Sequence, residues 1–355
     1  MQRETPNGSF DAVALLSGGL DSTLATAVVQ EQGKRVLGLH CLTGFESCEY
    51  GVSDCQGAPA SPPVKASVLN AAKILQIPLR TVDIFDEMTR AVASPRHGRG
   101  ANLNPCIDCK IIMLGHAGRT MGQVGASCVV TGEVLGQRPM SQHRQALDLI
   151  ERRSGLEGRL VRPLSAKLLP PSLVEREGFL DRDLLLDISG RGRRRLMDLM
   201  AERDISDYPA PGGGCLLTDA SFCARLRDKM EHSEPGRLRR DDIALLLIGR
   251  HLRIGPDLKL IVGRNQEENL RLAELARGGC LLETRDVPGP NAFIEGSRFG
   301  GEEVRLCASI AARYSDGRNL RSIRFSLSGS NLSGDSFRAE PFRDEGRLRE
   351  WTITT

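Results

Sequence analysis

Residues Ser17-Gly18-Gly19-Leu20-Asp21-Ser22 stand between an apolar run, Ala12-Val13-Ala14-Leu15-Leu16, and a helical pattern that begins at Thr23. A strand that feeds a glycine-rich turn and then a helix aims several backbone N–H groups, and the positive end of the helix dipole, at one small anion. Gly18 and Gly19 let the backbone approach a phosphate closely because no Cβ intervenes. Ser17 and Ser22 can donate to phosphate oxygens, and Asp21 can hold Mg2+ or a polarised water. No lysine follows the glycines. That separates the loop from the P-loop, whose lysine reaches the β- and γ-phosphates, and leaves ATP chemistry at the α-phosphate. Taken alone, such a turn would also serve as an ordinary helix cap.

The second chemical group is sulfur. Cys106-Ile107-Asp108-Cys109 follows Asn104-Pro105 and leads into a helical run, and Cys215 follows Gly212-Gly213-Gly214. Two cysteines at this spacing can share one metal centre, and a helix N-terminus favours their thiolates. A third cysteine would hold a [4Fe–4S] cluster by three irons and leave the fourth open to hydrosulfide, unlike the four-cysteine arrangement. The alternatives are a persulfide on Cys215 resolved by Cys106 or Cys109, and zinc with His97 or His116 as a further ligand, or an inert thiol pair. Cys48 and Cys55 fall in a Gly/Ser/Pro/Cys-rich stretch, residues 44–63; Cys41, Cys128 and Cys307 read as buried small hydrophobes, and Cys223 and Cys280 carry no signal.

The elements that must position these groups alternate. Residues 12–16, 36–42, 79–84 and 127–131 read as strands, and 22–32, 64–75 and 107–122 as helices. The order predicts an α/β fold, a doubly wound parallel sheet whose ligand lies beyond the carboxyl ends of the strands. Residues 44–63 and 93–105 read as loops over that site. From about residue 222 the pattern becomes a smaller α+β module, with strands at 258–262, 280–284, 292–295, 322–327 and 351–354 and a helix at 266–277. Asn265 and Glu268 suit a cap for that helix. Residues 326–335 read as a Ser/Gly-rich loop. The expected domains are therefore 1–221 and 222–355.

The chain has 355 residues, 40% of them hydrophobic, and a formal charge of +3. No stretch reaches the roughly 18 to 20 apolar residues of a membrane span, and residues 1–10 hold no signal-peptide core, so a cytoplasmic protein without a membrane partner is expected. Ten cysteines in a reducing compartment are no disulfide framework. Arginines cluster at Arg191, Arg193, Arg194 and Arg195 and at Arg237, Arg239 and Arg240, as solvated helix faces or as contacts to nucleic acid.

Together, residues 10–220 resemble the PP-loop ATP pyrophosphatases, and within them the tRNA 4-thiouridine synthases. Leu15 to Ser22 looks like their nucleotide loop, Thr131-Gly132-Glu133-Val134-Leu135-Gly136-Gln137 like their second signature, and Arg162-Pro163-Leu164 with Lys167 like the segment that supplies a catalytic lysine. Cys215 falls where that family keeps a sulfur-transfer cysteine. The Cys106, Cys109 and Cys215 set resembles its cluster-dependent branch. Val262 to Asn269, with Asp286-Val287-Pro288-Gly289, is similar to the RNA-binding domain of NFACT proteins. The THUMP-type and rhodanese regions of the thiouridine synthases have no counterpart.

The resemblance implies adenylation of a tRNA uridine oxygen, C4 ahead of C2, followed by sulfur attack. ATP would lie on Ser17, Gly18, Gly19, Asp21 and Ser22, with Gly132 and Gln137 near the α-phosphate and the backbone at Leu39 near adenine. Lys167 would offset charge in the transition state. Arg194, Arg239, Arg264 and Asn265 would meet tRNA, and sulfide or a cysteine-desulfurase product would supply sulfur. A homodimer is left possible. A 2-thiouridylase, a cluster-free persulfide enzyme and a non-catalytic nucleotide-dependent RNA-binding protein are the competing readings.

Overall fold

In β1 (Ala12–Leu15) successive side chains enter different cores: Ala12 and Ala14 pack into one, Val13 into another. Only a strand covered on both faces does this, and it accounts for an apolar run without polar alternation. A computed structural model describes residues 10–46, 64–208, 214–233, 238–276, 279–296, 299–329 and 334–354 of the chain. They fall into two compact units, Met1–Thr218 and Asp219–Thr355.

The first unit continues with α1 (Leu20–Gln30), β2 (Val36–Leu42), α2 (Ala66–Ile74), β3 (Leu79–Asp83), α3 (Phe85–Ala93), α4 (Cys106–Val124), β4 (Cys128–Val130), α5 (Arg144–Ser154), β5 (Leu160–Val161), α6 (Leu173–Arg176) and α7 (Arg194–Ala201). Its five strands are all parallel, in the order β3-β2-β1-β4-β5. Leu24, Val28 and Val29 of α1, Val68 of α2 and Leu196 of α7 share one core, and Leu114 and Ala117 of α4 with Ile150 of α5 share the other. This is the doubly wound sheet expected from the sequence. Strand order reverses between β1 and β4, so a crevice opens past their carboxyl ends, where such folds take ligands.

The second unit holds α8 (Ala220–Glu231), α9 (Arg240–Leu247), β6 (Arg250–Gly255), β7 (Leu258–Val262), α10 (Gln266–Leu275), β8 (Cys280–Thr284), β9 (Ala292–Gly296), α11 (Gly301–Arg313), β10 (Ile323–Ser328), β11 (Gly334–Ala339) and α12 (Glu345–Trp351). Its sheet is antiparallel throughout, in the order β11-β10-β8-β9-β7-β6. One face packs on α11 and Trp351; on the other, Leu245 and Leu272 of α9 and α10 meet Ile261 and Leu281. Asn265 caps α10 as expected, accepting from the Glu268 N–H at 2.9 Å.

Two expectations change here. Trp351–Thr354 is no strand: Asp344 caps α12, which runs through Trp351 because Leu348 and Trp351, three residues apart, bury on one face; only Thr352 then bridges to Leu252. The Ser/Gly-rich segment holds strand residues at both of its ends, since β10 extends to Ser328 and β11 begins at Gly334. Cross-strand partners, Phe325 opposite Phe337 among them, override the weak strand propensity of serine and glycine.

Lys259 of β7 is 0% exposed. Its ammonium donates to Asp228 Oδ2 at 2.7 Å, and Arg253 donates to both oxygens of that carboxylate at 2.7 and 2.9 Å. Burial works against the Asp228 charge, but the Arg253 hydrogen bonds and the Lys259 charge outweigh it and hold the carboxyl pKa at about 2. A depressed folded-state pKa means the contribution is complete above the ordinary carboxylate range and is lost as pH falls towards 2. Asp228→Asn leaves a buried ammonium without its counter-charge and is expected to destabilise the second unit by about 3–5 kcal/mol. Urea denaturation at neutral pH measures this; a change under about 1 kcal/mol would contradict the buried-pair account.

Candidate active site

The loop at the end of β1 is built from its own hydroxyls. Ser22 Oγ donates to Gly19 O at 3.0 Å and accepts from Ser17 N at 3.2 Å, and the Ser17 and Ser22 hydroxyls lie 3.0 Å apart. Because the Ser22 proton goes to Gly19, the Ser17 hydroxyl donates to Ser22. Gly19 is the N-cap of α1, with an extended backbone and no side-chain cap. The first turn of α1 therefore points its N–H groups at the crevice.

Two close approaches fix that loop. Gly18 has φ +74°, and a Cβ there would sit 2.5 Å from Val68 N and 2.6 Å from Ser67 C, at the start of α2. A Cβ on Gly132, just past β4, would sit 2.5 Å from both Asp21 C and Ser22 N. The second motif thus packs directly against the first, across the β1/β4 reversal. Glu133, the next residue, is 1% exposed and anchors the turn: its Oε2 accepts from Thr131 Oγ1 at 3.2 Å and Arg162 Nε at 3.1 Å. Arg162 also donates to Glu151 Oε2 at 2.8 Å and Leu147 O at 3.0 Å, so the Arg162-Pro163-Leu164 segment braces the site rather than facing solvent.

Asp21 Oδ1 is buried and has no hydrogen-bond partner among the described residues. An orphaned carboxylate oxygen beside a phosphate cradle fits a hard divalent cation such as Mg2+. Arg193 stands beside Asp21, its Nη2 3.8 Å from Oδ2. Arg193 is brought there by a chain of backbone bonds: Leu135 bridges Ser189, and Gly190 N donates to Leu135 O at 2.7 Å, just before α7. Lys167, by contrast, is exposed and donates to Asp183 O at 2.8 Å. Gln137 Nε2 is buried without a partner among the described residues, while the Leu39 carbonyl already accepts from Leu16 N at 2.9 Å. Arg193 and Glu133 are the site residues that the sequence motifs did not single out. The arginine run was the only hint of the first, and the Thr-Gly-Glu motif of the second.

The cysteines converge from three segments. Cys106 opens α4 and Cys109 follows one turn on. Residues 215–218 are tied on one side to the end of β2, through the Glu46–Cys215 bridge and Leu216 N to Phe45 O at 2.9 Å. On the other side they are tied to the loop before α4, through Leu103 N to Leu217 O at 3.3 Å and Asn102 Nδ2 to Thr218 O at 2.9 Å. Burial raises the Cys109 thiol's pKa, and the thiols of Cys215, Cys106 and Cys41 raise it further. Burial also raises that of Cys106, against opposing pulls from Arg138, Lys110 and Asn104, and pushes Cys41 up to about 12. Glu46 pairs with Lys65 at 2.5 Å, and Lys65 precedes the Ser67–Val68 turn under Gly18. The sulfur group and the phosphate loop are thereby parts of one site.

Among the described residues, no three of His, Cys, Asp and Glu are disposed to hold a metal ion. The expected three-cysteine [4Fe–4S] ligand set is therefore not preformed among the described residues. Of the histidines named for the zinc alternative, His97 Nδ1 lies 2.8 Å from Asp108 Oδ1 and His116 Nε2 2.7 Å from Glu87 Oε2. Cys48, Cys55, Gly212, Gly213 and Arg237 lie outside the described residues. Of the expected RNA contacts, Arg194 is exposed at the start of α7, Arg239 lies 3.7 Å from Asp242, and Arg264 pairs with Glu268.

Residues 11–150 match the model of the tRNA methyl transferase HUP domain, and residues 249–352 that of the NFACT protein RNA binding domain. Over 333 residues the chain is 26% identical to the tRNA-specific 2-thiouridylase MnmA of a Nocardioides species, covering 87% of this chain and 84% of that protein. Over 140 residues it is 27% identical to the tRNA-specific 2-thiouridylase MnmA of a Bradyrhizobium species, 38% of this chain and 34% of that one. Among solved structures, a predicted subunit of tRNA methyltransferase from Methanocaldococcus jannaschii has 14% identity and a TM-score of 0.26, covering 56% of this chain and 90% of that one. The C-terminal part of a fibronectin/fibrinogen-binding protein from Streptococcus suis has the same identity and TM-score, over 76% of this chain and 97% of that one. At that score neither carries an argument. No described helix is long and apolar enough to cross a membrane.

Gly132→Ala tests the contact between the two motifs. The added methyl must displace the Asp21–Ser22 peptide, so ATP affinity is expected to fall about tenfold or more, the equivalent of roughly 1.4 kcal/mol, with the thermal transition retained. Calorimetric titration with ATP measures it. Wild-type affinity would show that the loop is not held by this approach.

Proposed function

We propose that the chain is an ATP-dependent tRNA sulfurtransferase that forms AMP and pyrophosphate and thiolates uridine at C2. The carrying observation is the link between a lysine-free phosphate loop at the β1/β4 reversal and the cysteine group around Cys215, through Lys65 and Glu46. The names of the similar proteins favour C2, so the 4-thiouridine reading gives way to its alternative.

In the first step the uridine carbonyl oxygen attacks the α-phosphorus, the bond to the β-phosphate oxygen breaks, and pyrophosphate leaves. The α1 N-terminus and the Gly18–Gly19 backbone face the departing group, and Ser17 and Ser22 hold the loop in shape. Mg2+ held by Asp21 supplies charge neutralisation for the phosphates when bound. Arg193, beside Asp21, offsets charge on the phosphates, where the resemblance had put Lys167 against charge building on the α-phosphate. Gly132 and Gln137 line the α-phosphate side.

In the second step the terminal sulfur of a Cys215 persulfide attacks the activated carbon, the carbon–oxygen bond breaks, and AMP leaves. Cys109, whose pKa the Cys215 thiol helps to raise, then loses its proton and attacks Cys215 Sγ. The sulfur–sulfur bond to the base breaks, leaving thiouridine and a Cys109–Cys215 disulfide, which a thiol reductant returns to two thiols. The persulfide comes from a cysteine-desulfurase-derived carrier, whose own persulfide hands its terminal sulfur to Cys215 and leaves as a thiol. No step runs through an iron–sulfur cluster. The second unit, with its match to an RNA-binding domain, holds the tRNA.

The test is a reconstituted reaction with ATP, tRNA transcript and a persulfide donor, followed by nucleoside mass spectrometry and a count of protein-bound iron. Expected are 2-thiouridine, AMP and pyrophosphate in equal amounts, and protein without stoichiometric iron. ATP binding without pyrophosphate release would overturn the enzymatic reading, 4-thiouridine the position, and a stoichiometric iron–sulfur chromophore the persulfide route. Two variants separate the steps. Cys215→Ser is expected to release pyrophosphate without thiolating, and Arg193→Ala to slow tRNA-dependent pyrophosphate release about a hundredfold. Unchanged kinetics in Arg193→Ala would return the cationic role to Lys167.

A further inference from the structure

In the second unit, one row of the sheet is charged where the rows on either side are packed. Ile323, Phe325 and Leu327 of β10 are buried towards α11, which turns Arg324 to the opposite face. Arg338 of β11 lies directly opposite Arg324. Across the other edge of β10, Arg285 at the end of β8 donates its N–H to Arg324 O at 2.9 Å, which places Arg285 in the same row. Three guanidinium groups thus line up across three neighbouring strands, all exposed. Like charges directly opposite each other are unfavourable in a sheet, so packing does not explain this row.

The outer two arginines are held in place. Arg285 Nε donates to Ser326 Oγ at 2.7 Å and its Nη2 lies 3.5 Å from Glu283; Arg338 Nη1 reaches Ser322 Oγ at 3.3 Å and its Nη2 lies 3.4 Å from Asp286. The central Arg324 has no acidic partner among the described residues, because Asp286 Oδ1 takes its backbone N–H at 3.0 Å instead. Just before β10, Arg318 and Arg321 are exposed on either side of Leu320, which is 50% exposed.

We propose that the Arg285–Arg324–Arg338 row, extended by Arg321 and Arg318, is the surface on which the second unit holds the phosphate backbone of tRNA. A guanidinium fork matches a phosphate bidentately, and flanking forks fixed by serine and carboxylate lose little freedom on binding. The exposed Leu320 and the serine hydroxyls supply apolar and hydrogen-bonding contact to sugars or bases. The proposal deepens the RNA-binding reading of residues 249–352 and rests on it. It moves the contact from Arg264 and Asn265, which close an ion pair and a helix cap within the domain, to the β10–β11 end of the sheet face whose Ile261 and Leu281 meet α9 and α10.

The test is binding of a fluorescent tRNA transcript to the full chain over a series of salt concentrations, for wild type and for Arg285→Gln, Arg324→Gln, Arg338→Gln and the triple variant. Arg349→Gln, on α12, serves as a control. Each single change is expected to weaken binding several-fold, and the triple change far more, with the salt dependence flattening by about one unit of slope per arginine removed. Arg324→Lys, which keeps the charge, should keep the slope, and ATP affinity and the thermal transition should stay unchanged throughout. A triple variant that binds tRNA with wild-type affinity and slope would overturn the surface while leaving the RNA-binding reading intact. A wild-type chain that ignores tRNA, or that uses the row for anionic phospholipid vesicles and not for tRNA, would overturn both.

Discussion

The close approach of Gly132 to the peptide between Asp21 and Ser22 is the constraint on which the site depends. With no room for a Cβ, the segment after β4 and the loop after β1 behave as one surface, and the crevice at the reversal of strand order keeps a fixed floor. Everything chemical is hung from that floor. Glu133 sits one residue on and is anchored by Arg162; Leu135, two further, takes the backbone bond that carries Arg193 to Asp21. On the opposite side Gly18 rests on the first turn of α2, so the phosphate loop is clamped from both flanks and its N–H groups need not reorganise to meet a phosphate.

Sulfur chemistry imposes a different requirement. Burial penalises the thiolates of Cys109 and Cys106, and neighbouring thiols penalise that of Cys109 further. Such a group suits the proposed exchange, in which one thiol accepts sulfur and the next resolves it. The backbone ties from residues 215–218 to Phe45 and to Leu103 hold Cys215 against both contributing segments without committing it to either. The Lys65–Glu46 ion pair lies between this group and the phosphate loop.

Much of the architecture was legible in the sequence because it rests on local patterns. Ala12–Leu15 and Val36–Leu42 are apolar without alternation, which only a doubly covered parallel strand explains, and the glycine-rich turn between β1 and α1 marks the ligand end. The cap at Asn265 was equally readable. What was not legible depends on contacts between distant segments. Arg193 reads as one member of a solvated arginine run, and only the Leu135–Ser189 bridge makes it a neighbour of Asp21. Lys167 sits in the expected motif, yet its 3-10 turn leaves the ammonium on Asp183 O. Trp351–Thr354 has strand-like residues but ends a helix, and Ser326, Ser328 and Gly334 have weak strand propensity but lie in strands. In each case tertiary pairing decides where local preference is weak.

The central claim is that ATP is cut between its α- and β-phosphates by a uracil oxygen, so that the base is activated before sulfur arrives. Labelling that oxygen tests it most directly. With tRNA carrying 18O at the uracil carbonyl, a persulfide donor and unlabelled ATP, the reaction must deliver the label to AMP, one atom for each thiouridine formed. AMP free of label, or ADP and phosphate in place of AMP and pyrophosphate, would contradict it.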